Sequence, residues 1–135
     1  MPTAPVDFQS RSFRFACDVV RLFRLLDGRI PRELGRQVLR SGTSVGANLT
    51  EGKAARSRRD LRSKFSIALK EARETQFWLR LIAATFPHLE ATVADALDES
   101  SQLVAILTVS VMKLREEREG KEARVDIFPR SPDAG

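Results

Sequence analysis

Tyrosine is absent from this chain, and cysteine, histidine and tryptophan occur once each. Cys17 therefore has no partner for an internal disulfide, so the fold must stand on packing. His88 and Cys17 fall in different segments, which leaves no ligand pair at metal-binding spacing. No imidazole lies near Cys17, Ser41 or Ser44 in sequence, and no strand-turn-helix elbow presents them, so nucleophilic catalysis has no support. No apolar run approaches the ~20 residues of a membrane span, and no secretory leader pattern is visible. Gly42 and Gly46 do not form a phosphate loop, since no Gly-Lys-Ser/Thr follows them. These absences point to a cytoplasmic protein that is not an enzyme, needs no metal or cofactor, and has no membrane partner.

What the chain has in quantity is helix-forming residues and positive charge. Its 135 residues suffice for one buried core. The net charge of +5 is unevenly spread: residues 1–64 hold 14 Lys+Arg against 6 Asp+Glu, while residues 65–135 hold 9 against 12. A basic half of this kind suits a polyanion, because clustered cations gain affinity by releasing the counterions condensed on phosphates. Solvated helix surface and inter-subunit ion pairing are the alternatives, since arginine serves those roles as well.

The hydrophobic periodicity is helical almost throughout. Phe13, Ala16, Cys17, Val20 and Phe23 mark one stripe of a first helix near 11–27, which Gly28 can close. Pro31 opens a second helix near 31–52, with Leu34, Val38, Ser41, Val45, Asn48 and Leu49 on one face. Ser57 and Asp60 cap a third near 58–85, whose stripe runs Leu61, Phe65, Ala68, Leu69, Ala72, Gln76, Leu79, Ala83 and Phe86 before Pro87. A fourth, near 89–119, steps by four and three through Val93, Leu97, Ser100, Val104, Leu107, Val111 and Leu114. Short connections make successive helices antiparallel, so the predicted fold is an all-α, up-down-up-down four-helix bundle over 11–119. Residues 1–10 and 120–135 read as flexible ends.

Two features suggest more than a lone bundle. Gly42 and Gly46 each cost about 1 kcal/mol relative to Ala inside a helix, so they predict an unusually close backbone approach. Leu103, Ile106, Val109 and Met112 lie off the heptad seam of the fourth helix, which implies a second buried face or a wide core stripe. Asn48 and Glu51, three apart, are placed to tie helices or subunits together. The candidate oligomer interface is thus Gly42, Gly46, Asn48, Glu51, Leu103, Ile106 and Met112. Glu71 and Glu74 are explained by surface ion pairing, Glu74 with Lys70 at i, i+4.

The candidate nucleic-acid surface centres on the turn between the second and third helices. Lys53, Arg56, Arg58, Arg59, Arg62 and Lys64 surround it with Asp60 as the one acid. Arg32, Arg36 and Arg40 line one side of the second helix and can extend this surface. With no Tyr, and Trp78 and most Phe on core stripes, binding is expected to be directed at the phosphate backbone and independent of sequence.

The segment Ser41-Gly42-Thr43-Ser44-Val45-Gly46-Ala47-Asn48-Leu49-Thr50-Glu51-Gly52 resembles the Ser-Ile-x-x-Asn-Ile-Ala-Glu-Gly signature of a bacterial four-helix-bundle family, with Thr50 where Ala is commoner. That family includes proteins encoded in intervening sequences of large-subunit ribosomal RNA genes. Lys70-Glu71-Ala72-Arg73-Glu74-Thr75-Gln76-Phe77-Trp78-Leu79 is similar to its third-helix motif, with Phe77 in place of Tyr. A more distant resemblance is to the accessory variability determinant of diversity-generating retroelements. The resemblance implies an antiparallel bundle that assembles into a ring-like homopentamer without known catalytic activity. The retroelement relatives imply RNA or DNA and a reverse transcriptase as partners, met through basic surfaces. The expected function is accordingly that of an oligomeric nucleic-acid-binding accessory protein, with a purely structural scaffold as the alternative.

Overall fold

In the computed structural model, residues 7–127 are described, with side chains through Gly120. Four helices follow in chain order: α1 (Phe8–Leu26), α2 (Arg32–Lys53), α3 (Arg58–Thr85) and α4 (Glu90–Ile127). Each boundary has a local cause. The Asp7 carboxylate accepts hydrogen bonds from the Gln9 and Ser10 amides at 3.1 and 3.3 Å, satisfying two donors that a helix start leaves open. Gly28 takes φ +80°, which lets the chain turn sharply after α1, and Pro31 leads into α2. The Ser57 hydroxyl accepts from the Asp60 amide at 3.0 Å and starts α3. Pro87 heads a short 3-10 turn, Pro87–Leu89, that ends α3 and feeds α4.

Two of these boundaries differ from the sequence expectation. Residues 8–10, assigned above to a flexible start, form the first turn of α1, because Asp7 supplies a cap that the apolar stripe does not reveal. The fourth helix also continues past 119 to Ile127, through Gly120. The remainder of the tail, 128–135, and residues 1–6 lie outside the described residues.

The helices alternate in direction. α2 packs along α1 and α3, and α3 along α4, whereas α1 and α4 touch at few places. That last seam is held by Arg11, whose guanidinium donates to Glu99 at 2.7 and 2.9 Å and to Gln102 at 2.7 Å. The bond to Glu99 holds Arg11 further above its already high ordinary pKa. Inside, Phe15, Val19 and Leu26 meet Val38, Leu79 and Leu103 near one end, while Val45, Leu69 and Leu107 fill the other. The Thr75 and Ser41 hydroxyls, both fully buried, meet at 2.9 Å between α2 and α3.

The buried face of α1 is not the one the periodicity suggested. Phe13 is 67% exposed and Val20 41%, while Phe15, Val19, Leu22 and Leu26 are buried. Both stripes have helical spacing, and the apolar side of α1, opposite Arg14, Asp18 and Arg21, is wide enough to hold both. The choice is made by α2, where Gly42 and Gly46 leave room for α1. A Cβ on Gly42 would stand 2.7 Å from a Val19 methyl, and one on Gly46 would stand 3.1 Å from the Ser12 carbonyl oxygen.

Asp7 also gives the fold a pH dependence. Its side-chain and backbone hydrogen bonds with Ser10 hold its carboxyl below the ordinary carboxylate value, reinforced by Gln9 and Lys53. A depressed folded pKa contributes stability that is present above the unfolded value, about 3.9, and lost as pH falls through the folded one. Amide exchange at Gln9 and Ser10 is therefore expected to accelerate relative to mid-α1 amides below about pH 4. Asp7→Asn should abolish that acid-specific difference, and an unchanged acid response in the variant would refute the assignment.

Candidate nucleic-acid interface

The basic residues of the α2–α3 turn do not all remain available. Lys64 pairs with Glu51 at 2.9 Å, a hydrogen bond that holds its ammonium above the ordinary lysine pKa. Arg58 pairs with Glu117 of α4. Arg40 bridges from α2 to α3, donating to Glu71 at 3.2 Å and to Glu74. The Trp78 indole also donates to Glu74 at 3.3 Å, so Arg40, Glu71, Glu74 and Trp78 form one inter-helix network. Glu71 and Glu74 are thus ion-paired as expected, but with Arg40 rather than Lys70.

Arg40 therefore does not carry the basic surface along α2. Its charge is opposed by two carboxylates, and this separates Arg32 and Arg36, near the start of α2, from the cations at its end. Lys53, Arg56, Arg59 and Arg62 stay clustered at the turn and make no ion pair among the described residues.

The turn cluster gains residues that the sequence reading did not include. Arg59, Arg62, Ser63 and Ser66 of α3 face Arg115 and Arg118 of α4 across an open groove of about 520 Å³. Among the described residues no carboxylate lines it. Ser57 caps the start of α3 beside it, with Asp60 in the first turn, where the helix terminus adds partial positive charge. Arg115 and Arg118 were obscured because the half of the chain that holds them is net acidic and because Glu116, Glu117 and Glu119 surround them in sequence. Their i, i+3 spacing is the available signal, since it sets both on one side of α4.

The proposed oligomer residues are distributed differently from the expectation. Gly42, Gly46 and Leu103 are buried inside the chain, the glycines against α1 and Leu103 in the core, so none of them is offered to a second copy. The close helix approach that the glycines announce is real, but it is intramolecular. Asn48 is half-buried and its amide donates to the Ser44 carbonyl of its own helix at 2.8 Å, while Glu51 is exposed and holds Lys64. Ile106 is half-buried, and Met112 and Val109 are 53% and 51% exposed.

Among the described residues no three His, Cys, Asp or Glu side chains gather as a metal site requires. No described helix is long and apolar enough to cross a membrane.

The family model of the 23S rRNA-intervening sequence proteins matches residues 6–109, which takes in α1, α2, α3 and much of α4. The chain belongs to that family. A solved structure, that of a protein of unknown function from the S23 ribosomal protein family of Bacteroides thetaiotaomicron, is 35% identical to it. Its TM-score is 0.70, over 76% of this chain and 96% of the other. No curated protein matches. Arg115 and Arg118 lie beyond the stretch matched by the intervening-sequence family.

Proposed function

We propose that this intervening-sequence family member is a cytoplasmic, non-enzymatic protein that binds RNA or DNA by its phosphate backbone. The observation that carries the reading is the groove in which Arg59 and Arg62 of α3 face Arg115 of α4, none of which makes an ion pair among the described residues. The family name, which ties relatives to ribosomal RNA genes, supports RNA as one ligand. Three cations, Arg59, Arg62 and Arg115, on duplex phosphates correspond to a log-log salt slope of about −2.7 per protomer. Affinity measured by fluorescence anisotropy is then expected to fall about forty-fold between 50 and 200 mM KCl. Arg59→Gln, Arg62→Gln and Arg115→Gln together should leave helicity intact and remove about 2.7 from the slope. Binding insensitive to salt, or unchanged in the triple variant, would refute the reading. Arg58 is left in place because Glu117 already occupies it.

Assembly into a homopentameric ring belongs to the same proposal. The exposed Val109 and Met112 of α4 and the exposed Phe13 and Val20 of α1 supply the apolar surface for it. A ring would repeat the groove and steepen the salt dependence in proportion. If the gene sits in a retroelement, a reverse transcriptase is the expected protein partner. The scaffold alternative draws on the pairing of Arg40, Arg58 and Lys64 within the chain, but these pairs do not involve Arg59, Arg62 or Arg115.

A further inference from the structure

We infer that the outer face of α3 is a track for single-stranded nucleic acid, running from the groove towards the far end of the helix, an inference that rests on the nucleic-acid reading above. With about 3.6 residues per turn, Arg59, Arg62, Lys70, Arg73, Phe77 and Arg80 fall within about 80° of one another around α3. That face is turned away from Ala68, Ala72 and Leu79, which are buried. Arg62 is half-buried and the other five residues are exposed. None of the five cations makes an ion pair among the described residues. The stripe contains no acid either. Between Leu61 and Thr85 the carboxylates of α3 are Glu71 and Glu74, and Arg40 holds both on the side towards α2. A face that only met water would be free to mix charges, as α1 does where Asp18 pairs with Arg21. From Arg59 to Arg80 the stripe is about 32 Å long.

Phe77 decides the kind of polyanion. It is 55% exposed, and its ring sits edge-to-face with Trp78 at a centroid distance of 5.1 Å, so it is anchored while much of it meets solvent. Trp78 in turn packs against the core and donates to Glu74. A fixed ring between Arg73 and Arg80 gives an unpaired base a stacking platform, which a polyanion without bases cannot use. A duplex cannot use it either, because its bases are stacked on one another. The duplex backbone also winds about its axis once in about 34–36 Å, so it departs from a straight line of cations that a flexible strand can follow throughout. At about 3.4 Å per nucleotide of stacked strand, the track spans about nine nucleotides. Phe13, Val20, Val109 and Met112, the apolar residues offered above to a second copy, belong to α1 and α4, so that assembly leaves the outer face of α3 open.

The test titrates the full chain into a labelled 12-nucleotide oligouridine at 50, 100 and 200 mM KCl, with a 12-base-pair RNA duplex and polyglutamate of matched charge as the other probes. Five phosphate contacts on a single strand correspond to a log-log slope of about −3.5. Lys70→Gln, Arg73→Gln and Arg80→Gln together should remove about 2.1 of it and leave helicity unchanged. Phe77→Ala should weaken oligouridine binding at least about five-fold without changing the slope, and Phe77→Trp should retain the affinity. A slope that survives the triple change, or an affinity indifferent to Phe77→Ala, would overturn the inference and leave the groove of Arg59, Arg62 and Arg115 as the site. Tighter binding of the duplex than of the strand at 100 mM would overturn it as well. So would polyglutamate bound as tightly as oligouridine, which would assign the face to an acidic protein partner. Absence of binding to both nucleic-acid probes at 50 mM would overturn this inference and the nucleic-acid reading together.

Discussion

Phe15→Ala is expected to destabilise the fold by about 4 kcal/mol, while Phe13→Ala, two residues away, should change stability by no more than about 0.5 kcal/mol. The two positions point about 200° apart around α1. Phe15 is 1% exposed and packs in the cluster that joins α1 to Val38, Leu79 and Leu103, so truncation removes its transfer free energy and opens a cavity among large neighbours. Phe13 is 67% exposed and already meets water. Urea unfolding followed by circular dichroism at low micromolar concentration checks both variants. Comparable losses, or a larger loss for Phe13, would mean that α1 docks by its other stripe and that the contact of Val19 with Gly42 is wrong. A Phe13→Ala effect that appears only as protein concentration rises would instead place Phe13 between copies.

This pair of residues also shows where sequence reasoning stopped. Three helices were legible because each carries polar residues on one side: α3 could only bury Ala68, Leu69, Ala72 and Leu79, and α2 only Val38, Ser41, Val45 and Leu49. α1 has a polar side too, with Arg14, Asp18 and Arg21 on it, but its apolar side is wide enough to hold two stripes. Phe13, Cys17 and Val20 compete with Phe15, Val19 and Leu22 at equal spacing, and the decision rests with a surface on another helix. Leu103 has the same origin. It is fully buried though off the strict heptad, because the core-facing stripe of a bundle helix is wider than a coiled-coil seam.

The basic site divides in a similar way. Arg59 and Arg62 stand in a local run of charge that any reader would mark. Arg40 stands in one too, but Glu71 and Glu74 approach it from a helix about thirty residues later in the chain, and long-range pairing leaves no local trace. Arg115 and Arg118 face the opposite difficulty, since their acidic neighbours mask in composition what helical geometry separates in space.

Gly42→Leu should cost about 3 kcal/mol, at the upper end for forcing a large side chain into a packed core. Even a single Cβ at Gly42 would lie 2.7 and 2.9 Å from the two methyls of Val19, and Val19 is fully buried on a β-branched stem with one preferred rotamer. The neighbour cannot swing aside, so α1 must move away from α2. The glycine's helix penalty of about 1 kcal/mol is recovered in the substitution, but it is smaller than the clash. The same reasoning makes the effect reversible by design. Val19→Ala alone leaves a cavity of two methyl groups, and Gly42→Ala alone overpacks, yet together the new Cβ fills part of the space that the methyls vacated. The double variant is expected to be at least about 1 kcal/mol more stable than the sum of the single changes predicts. Denaturation midpoints of the four proteins in this cycle provide the check. Strict additivity would mean that Gly42 does not meet Val19, and an unimpaired Gly42→Leu whose oligomer dissociates would return Gly42 to the surface between copies.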